Sequence, residues 1–306
     1  MRYTEERYIS LLTDFGFKRI FGTLPNKDLL ISFLNSLFNG EEVVKDVPFL
    51  NSEHVGDVYA ERKAIFDVYC ENERGEKFIV EMQNAKQHYF KDRSLYYATF
   101  PIREQAPKGQ DWNFKLAHVY VVALLNFDMH EEAFARDSII HDVALIDKET
   151  NKVFNEKLRF KYVEVAKFNK NLDELDTLYD KWIYVLKNLA RLNKQPAHLR
   201  NAVFDHLFSE AEIASFTHTE LKEYEDSLKA YRDIKNSLDT AKDEGRAEGM
   251  AKGMAEGLAK GLAKGLAEGR VETLNKMVSE MKREGLGYDL IEKLTGLTQK
   301  DIDAIP

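Results

Sequence analysis

The chain has 306 residues, 44% of them apolar, with 44 Lys and Arg against 52 Asp and Glu for a net charge of −8. That is enough apolar material for one large domain plus further modules, and the acidic balance argues against a high-affinity, non-specific nucleic-acid binder. The lone cysteine, Cys70, excludes a disulfide framework, the charged opening MRYTEERYIS carries no expected signal peptide, and no apolar run approaches the ~18 residues of a membrane span, so a cytoplasmic protein is expected.

Residues 3–38 read as helical. Asp14 is placed to cap a helix carrying Phe17, Ile20 and Phe21 on one side. After Pro25-Asn26 a second helix brings Leu29, Leu30, Phe33, Leu34 and Leu37 to one face, and Asn39-Gly40 ends it. Residues 43–60 are expected to hold a short strand and a loop.

The stretch AIFDVYCENERGEKFIVEMQ, 64–83, reads as a hairpin closed at Glu73-Arg74-Gly75, with glycine in the left-handed position. Phe66, Val68, Cys70, Phe78, Val80 and Met82 alternate onto an apolar core face. Asp67, Glu81 and Gln83 fall on the other face, with Asp67 opposite Glu81 at roughly 5 Å. Carboxylates that close repel unless a cation or a proton lies between them. Oxygen ligands of this kind suit Mg²⁺ or Mn²⁺, with water completing the shell. The alternative is a solvated sheet face without chemistry.

Residues 85–105 read as a helix rich in aromatics, with Tyr96 and Tyr97 assigned first to packing and second to substrate contact. Gln87, one helical turn beyond Gln83, is a further candidate for the same cleft. Lys86, Lys91 and Arg93 form either a basic patch or a solvated helix face. The apolar run LAHVYVVALLNF, 116–127, suits a central strand buried on both sides. Strands follow over 138–146 and 158–166. From Leu172 the chain turns helical, with Trp182, Val185 and Leu189 as an apolar stripe, and the order of elements predicts an α/β core. His54, His88, His118, His130 and His141 have no metal-ligand spacing.

Beyond this, glycine recurs every fourth residue from Gly245 to Gly269. Each costs a helix about 1 kcal/mol relative to alanine, and the stripe drifts about 40° per repeat. The regular Glu and Lys exclude a membrane reading of this pattern. A self-association helix and a semi-rigid spacer are both open. The segment GYDLIEKLTGLTQKDIDAI reads as a helix-turn-helix with Gly296 in the turn, either a DNA-binding unit or a small packing module.

TDFGFKRIFGT (13–23) with NKDLLISFLNSLF (26–38), FDVYCENERGEKFIVEMQ (66–83), the stretch 92–127, YVEVAKF (162–168) and WIYVLKNL (182–189) together resemble the Rpn-type recombination-promoting nucleases and transposases of the PD-(D/E)XK superfamily. The resemblance implies a restriction-endonuclease-like core, a mixed sheet flanked by helices, with a helical C-terminal extension. The expected modules are a nuclease-like domain at 1–200, a helical extension at 201–242, the glycine-repeat helix at 243–270 and a small helical module at 271–306. It also implies a Mg²⁺-dependent (or Mn²⁺-dependent) endonuclease acting on DNA, tied to recombination or mobile elements, with Asp67 and Glu81 as metal ligands and Gln83 beside them as catalytic candidates. An early-helix acidic residue sometimes joins such sites, and Asp14 is the candidate here. Gln83 departs from the superfamily's lysine. Its carbonyl would ligate the metal or its amide would hold the attacking water. A degenerate nuclease fold serving as an oligomeric DNA-binding or interaction module is the second reading, and RNA the alternative substrate.

Overall fold

In a computed structural model, residues 6–38, 44–54, 64–106 and 113–306 are described. The expected end of the second helix at Asn39-Gly40, and most of the loop within 43–60, lie outside them. Two compact units divide at Leu238/Asp239.

The first unit opens with an extended segment rather than the expected helix. Ile9 N donates to Ala211 O and Ile213 N to Arg7 O, both at 3.0 Å, so these backbone groups pair with a distant segment instead of with each other. Helix α1 (Asp14–Phe21) is capped by Thr13, whose hydroxyl accepts from Gly16 N at 3.1 Å. Asp14 is therefore the first helical residue and not the cap. Gly16 has a steric reason: a Cβ there would overlap the Ser10 carbonyl oxygen. Helix α2 (Lys27–Phe38) buries Leu29, Leu30, Phe33, Leu34 and Leu37 as its spacing predicts.

Strands β1 (Glu53–His54) and β2 (Ala64–Ile65) form a two-stranded antiparallel piece. Strands β3 (Val68–Glu71), β4 (Lys77–Gln83), β5 (Val119–Leu125), β6 (Ile140–Ile146) and β7 (Val153–Glu164) make one mixed sheet in the order β3-β4-β5-β7-β6. β4, β5 and β7 run parallel, and β3 and β6 pair antiparallel at the two edges. β5 is buried along its whole length, as a central strand covered on both faces must be.

Even-numbered residues of β4 and β5 join one cluster with α1, α2, α4 (Leu178–Asn188) and α5 (Ala202–Glu210), where Trp182 stands against Phe21 and Phe33. Odd-numbered residues join a second cluster covered by α3 (Phe90–Glu104). Phe66 belongs to this second cluster. The chain bends at Phe66-Asp67 between β2 and β3, so the expected alternation holds for Val68, Cys70, Phe78, Val80 and Met82 but not for Phe66. Gly75 turns the hairpin at φ +75°. The first cluster also takes in Phe204, Leu207, Tyr224 and Leu228, from beyond residue 200.

Helix α6 (His218–Arg283) runs through positions 242 and 270 without interruption. Its first part belongs to the core unit: Tyr224 accepts from Ser10 N at 3.0 Å, and Arg19 pairs with Glu220 at 2.6 Å. In the second unit, Val278 of α6 packs with Ile291 of α7 (Tyr288–Thr295) and with Ile302 of α8 (Gln299–Asp303). Gly296, at φ +71°, ends α7 as expected of the turn. Among the described residues no helix is long and apolar enough to cross a membrane.

Candidate functional site

The hairpin register pairs Val68 with Val80 and Tyr69 with Ile79. Continued by one residue, it sets Asp67 against Glu81, as the alternation predicts. The two carboxylates are bound crosswise to the opposite backbone. Asp67 Oδ2 accepts from Met82 N at 2.8 Å, and Glu81 Oε1 accepts from Asp67 N at 3.3 Å. This face is not a solvated one. It carries Ile79 and lies under α3, and Glu81 is 6% exposed.

Burial in such a place disfavours charge. It pushes the Glu81 carboxyl up to about 8, and the Asp67 charge adds to the rise. Burial also raises Asp67, against the Met82 amide and the Lys18 charge, which lower it. The Glu81 shift thus carries a competition with the Asp67 charge, while Asp67 is raised first by burial and further by the Asp14 charge. A divalent cation removes that competition, so the donor set fits a hard metal held by carboxylate oxygens. Among the described residues no group of three or more His, Cys, Asp or Glu side chains is gathered as a metal site. A hard divalent ion held by Asp67 and Glu81 would take its remaining ligands from water.

Gln83 ends β4 on the same face. Its amide nitrogen donates to Glu81 Oε2 at 3.4 Å, and its oxygen accepts from Arg93 Nη2 of α3 at 2.5 Å. Its backbone carbonyl accepts from Asn126 N at 2.9 Å, which ties it to the end of β5. Residues 84–89 are not helical, because Asn84 turns away and donates its Nδ2 to Leu12 O at 2.7 Å. Gln87 therefore does not follow Gln83 by a helical turn. It is nevertheless brought to the same guanidinium, as an acceptor for Arg93 Nη1. Lys86 leaves the site: its ammonium donates to Met129 O. Lys91 pairs with Glu131 at 2.8 Å. The expected basic patch of Lys86, Lys91 and Arg93 is thus split, and only Arg93 reaches the acidic pair.

Asp14 forms an ion pair with Lys18 at 2.8 Å, one turn along α1. Burial alone would lower the Lys18 ammonium, but Asp14, with Asp67 and Glu81 behind it, raises it instead. Tyr97 has its phenol raised by burial first and by Glu81 second, and its ring stands 5.2 Å from Phe66. Tyr96 is 43% exposed and so is not the core residue its helical spacing suggests. Lys18, Arg93 and Tyr97 complete the polar surroundings of the pair. The helical spacing of Arg93 and Tyr97, four residues apart, was the available signal for them, but the start of α3 was needed to aim it.

A family model described as PD-(D/E)XK nuclease family transposase matches residues 11–241. The chain belongs to this family. The mixed sheet with flanking helices is its restriction-endonuclease-like α/β fold. The matched range includes α1, the hairpin, α3 and the first part of α6, and stops before the glycine repeat. No curated protein and no solved structure matches the chain. In the family's motif lettering an acid is followed two residues later by lysine. Glu81-Met82-Gln83 has the acid and replaces the lysine. Glutamine carries neither a charge nor a proton to transfer, and among the described residues the cations that lower the pair come from helices, Lys18 on α1 and Arg93 on α3.

Proposed function

We propose that the chain is a divalent-metal-dependent endonuclease acting on DNA, with Asp67 and Glu81 as the metal ligands. The single observation that carries this reading is the buried, mutually repelling pair at the mouth of the β3–β4 hairpin, in a chain of nuclease family. Mg²⁺, or Mn²⁺ in its place, would supply Lewis acidity toward a phosphate oxygen and a more acidic water. The protein's own part is positional. Crosswise hydrogen bonds to Met82 and Asp67 amides hold each carboxylate against the opposite strand. The Gln83 amide holds Glu81 Oε2 and is available to orient a water beside it. α3 covers the face and keeps bulk water from screening it.

The family's name supports an association with recombination or mobile elements. A cytoplasmic location accords with the buried, free thiol of Cys70. Self-association through the glycine-repeat helix belongs to the same proposal. Gln83 favours one second reading: a nuclease fold that has lost cleavage and serves as an oligomeric DNA-binding or interaction module.

A crystal soaked in Mn²⁺ tests the ligand assignment. Anomalous density between the Asp67 and Glu81 carboxylates is the expected result. Metal bound elsewhere, with that position vacant, would remove the basis of the reading.

A further inference from the structure

We infer that Arg93 is the positioning residue of this site: its guanidinium turns the Gln83 carboxamide so that the oxygen faces α3 and the amide nitrogen faces Glu81. The inference rests on Asp67 and Glu81 being the metal site.

Guanidinium nitrogens only donate. The group 2.5 Å from Arg93 Nη2 must therefore be the carboxamide oxygen of Gln83, and the nitrogen is left for Glu81 Oε2 at 3.4 Å. The same guanidinium holds the Gln87 oxygen on Nη1, so one planar fork fixes two glutamines at once. Its own place is set by aromatic faces, with the guanidinium carbon 5.5 Å from the Phe90 centroid and 5.8 Å from that of Tyr97. Among the described residues no carboxylate forms an ion pair with Arg93, so its charge is spent on the amide oxygens and on the field at the acidic pair.

The inference selects one of the two uses open to Gln83: turned this way, the side chain presents its amide nitrogen to Glu81 and directs its oxygen to α3. The cation that the motif's lysine would carry on the strand is delivered here from the following helix. Lysine at 93 would keep the charge but would lack the fork that binds two oxygens.

The test is calorimetric titration of Mn²⁺ into the full chain and its variants, alongside a cleavage-rate cycle. Gln83→Ala is expected to bind Mn²⁺ within about twofold of wild type, since a donor facing Glu81 contributes no ligand. Arg93→Ala is expected to bind about fivefold more tightly, as one nearby partly screened positive charge is removed. Arg93→Lys should bind as wild type. In the rate cycle, Arg93→Ala and Gln83→Ala should each lower kcat by about 10- to 100-fold, and the double variant should be no worse than either. A tenfold weakening of Mn²⁺ binding in Gln83→Ala would put the carbonyl on the metal and overturn the inference. So would additive losses in kcat, or unchanged affinity in Arg93→Ala. If instead Asp67→Ala binds Mn²⁺ as wild type does, the metal-site reading itself fails, and that result is separate from the others. If Arg93→Ala does not fold, Arg93→Lys carries the test: lacking the fork, it should lose kcat as Gln83→Ala does, and a wild-type kcat would overturn the inference; calorimetry of Gln83→Ala decides the orientation if no substrate is cut.

Discussion

Two carboxylate sites of this sheet are built in opposite ways. At the end of β7, Glu164 is fully buried, yet Met129 N donates to it at 2.6 Å, His141 lies at 2.9 Å and Lys167 at 2.6 Å. His141 in turn stacks on Phe134 at 3.9 Å. Every oxygen is met by a donor, which is how an interior charge is ordinarily made tolerable. At the β3–β4 hairpin, two carboxylates face each other, and among the described residues no cation forms an ion pair with either. The first site is complete as folded. The second leaves a like-charge conflict that an added cation resolves. The contrast separates a structural buried acid from a candidate functional pair by the cations that meet each: Lys167 pairs with Glu164, and among the described residues none pairs with Asp67 or Glu81.

The largest expected effect falls on activity. Asp67→Ala or Glu81→Ala should lower metal-dependent DNA cleavage by at least about a thousandfold, the scale of losing a metal-held nucleophile and its electrostatic support. Folding should be intact by circular dichroism. If either acid can be removed with cleavage retained, the hairpin pair is not the metal site.

At the other site the same change should act on stability. Glu164→Ala strips His141 and Lys167 of their shared partner and should cost about 3 kcal/mol, the low end for breaking a buried charge pair. Thermal denaturation measures it. A neutral result would mean that the completeness of the Glu164 site contributes little to folding.

The pH dependence sharpens the comparison further. Both pair carboxyls are raised by burial, Glu81 to about 8. The folded, metal-free chain therefore holds protons that the unfolded chain has released above about pH 4.5. Stability from this pair is fully present below the unfolded pKa and is lost as pH rises toward 8. The loss should be on the order of 3 kcal/mol. Glu81→Gln should flatten the slope, and Mg²⁺ should restore stability at the alkaline end. Chemical denaturation at pH 5 and pH 8, with and without Mg²⁺, reads all of this.

The smallest effect on cleavage should come from the repeat. A Cβ at any of Gly245 to Gly269 meets nothing within 4 Å. Alanine fits each position, and Gly257→Ala should strengthen the helix by about 1 kcal/mol. If the glycines serve close approach of a second copy, deletion of 245–269 should reduce the solution mass to that of a monomer while leaving cleavage unchanged. A monomer before and after deletion would rule out self-association.

What the sequence made legible follows from local physics. Period-two alternation and a left-handed glycine were enough for the β3–β4 register, and a continuous apolar run was enough for β5. The start of α1 was misplaced because Thr13 and Asp14 are both good caps, and the choice depends on how Ser10 and Gly16 pack. The extended segment before it pairs with residues near 212, and no local pattern reveals a partner that distant. Gln87 was aimed through a helical turn that Asn84 breaks by bonding to Leu12. Arg93 was visible only as one of three nearby cations, because the other two find partners, Met129 and Glu131, that the fold alone brings within reach.

The most direct measurement is cleavage of DNA by wild type and Asp67→Ala, each with Mg²⁺ and with the metal removed by a chelator. The expected result is cutting by wild type with Mg²⁺ only, and none by Asp67→Ala under either condition. Equal cutting by both proteins, or cutting that persists without metal, would contradict the account.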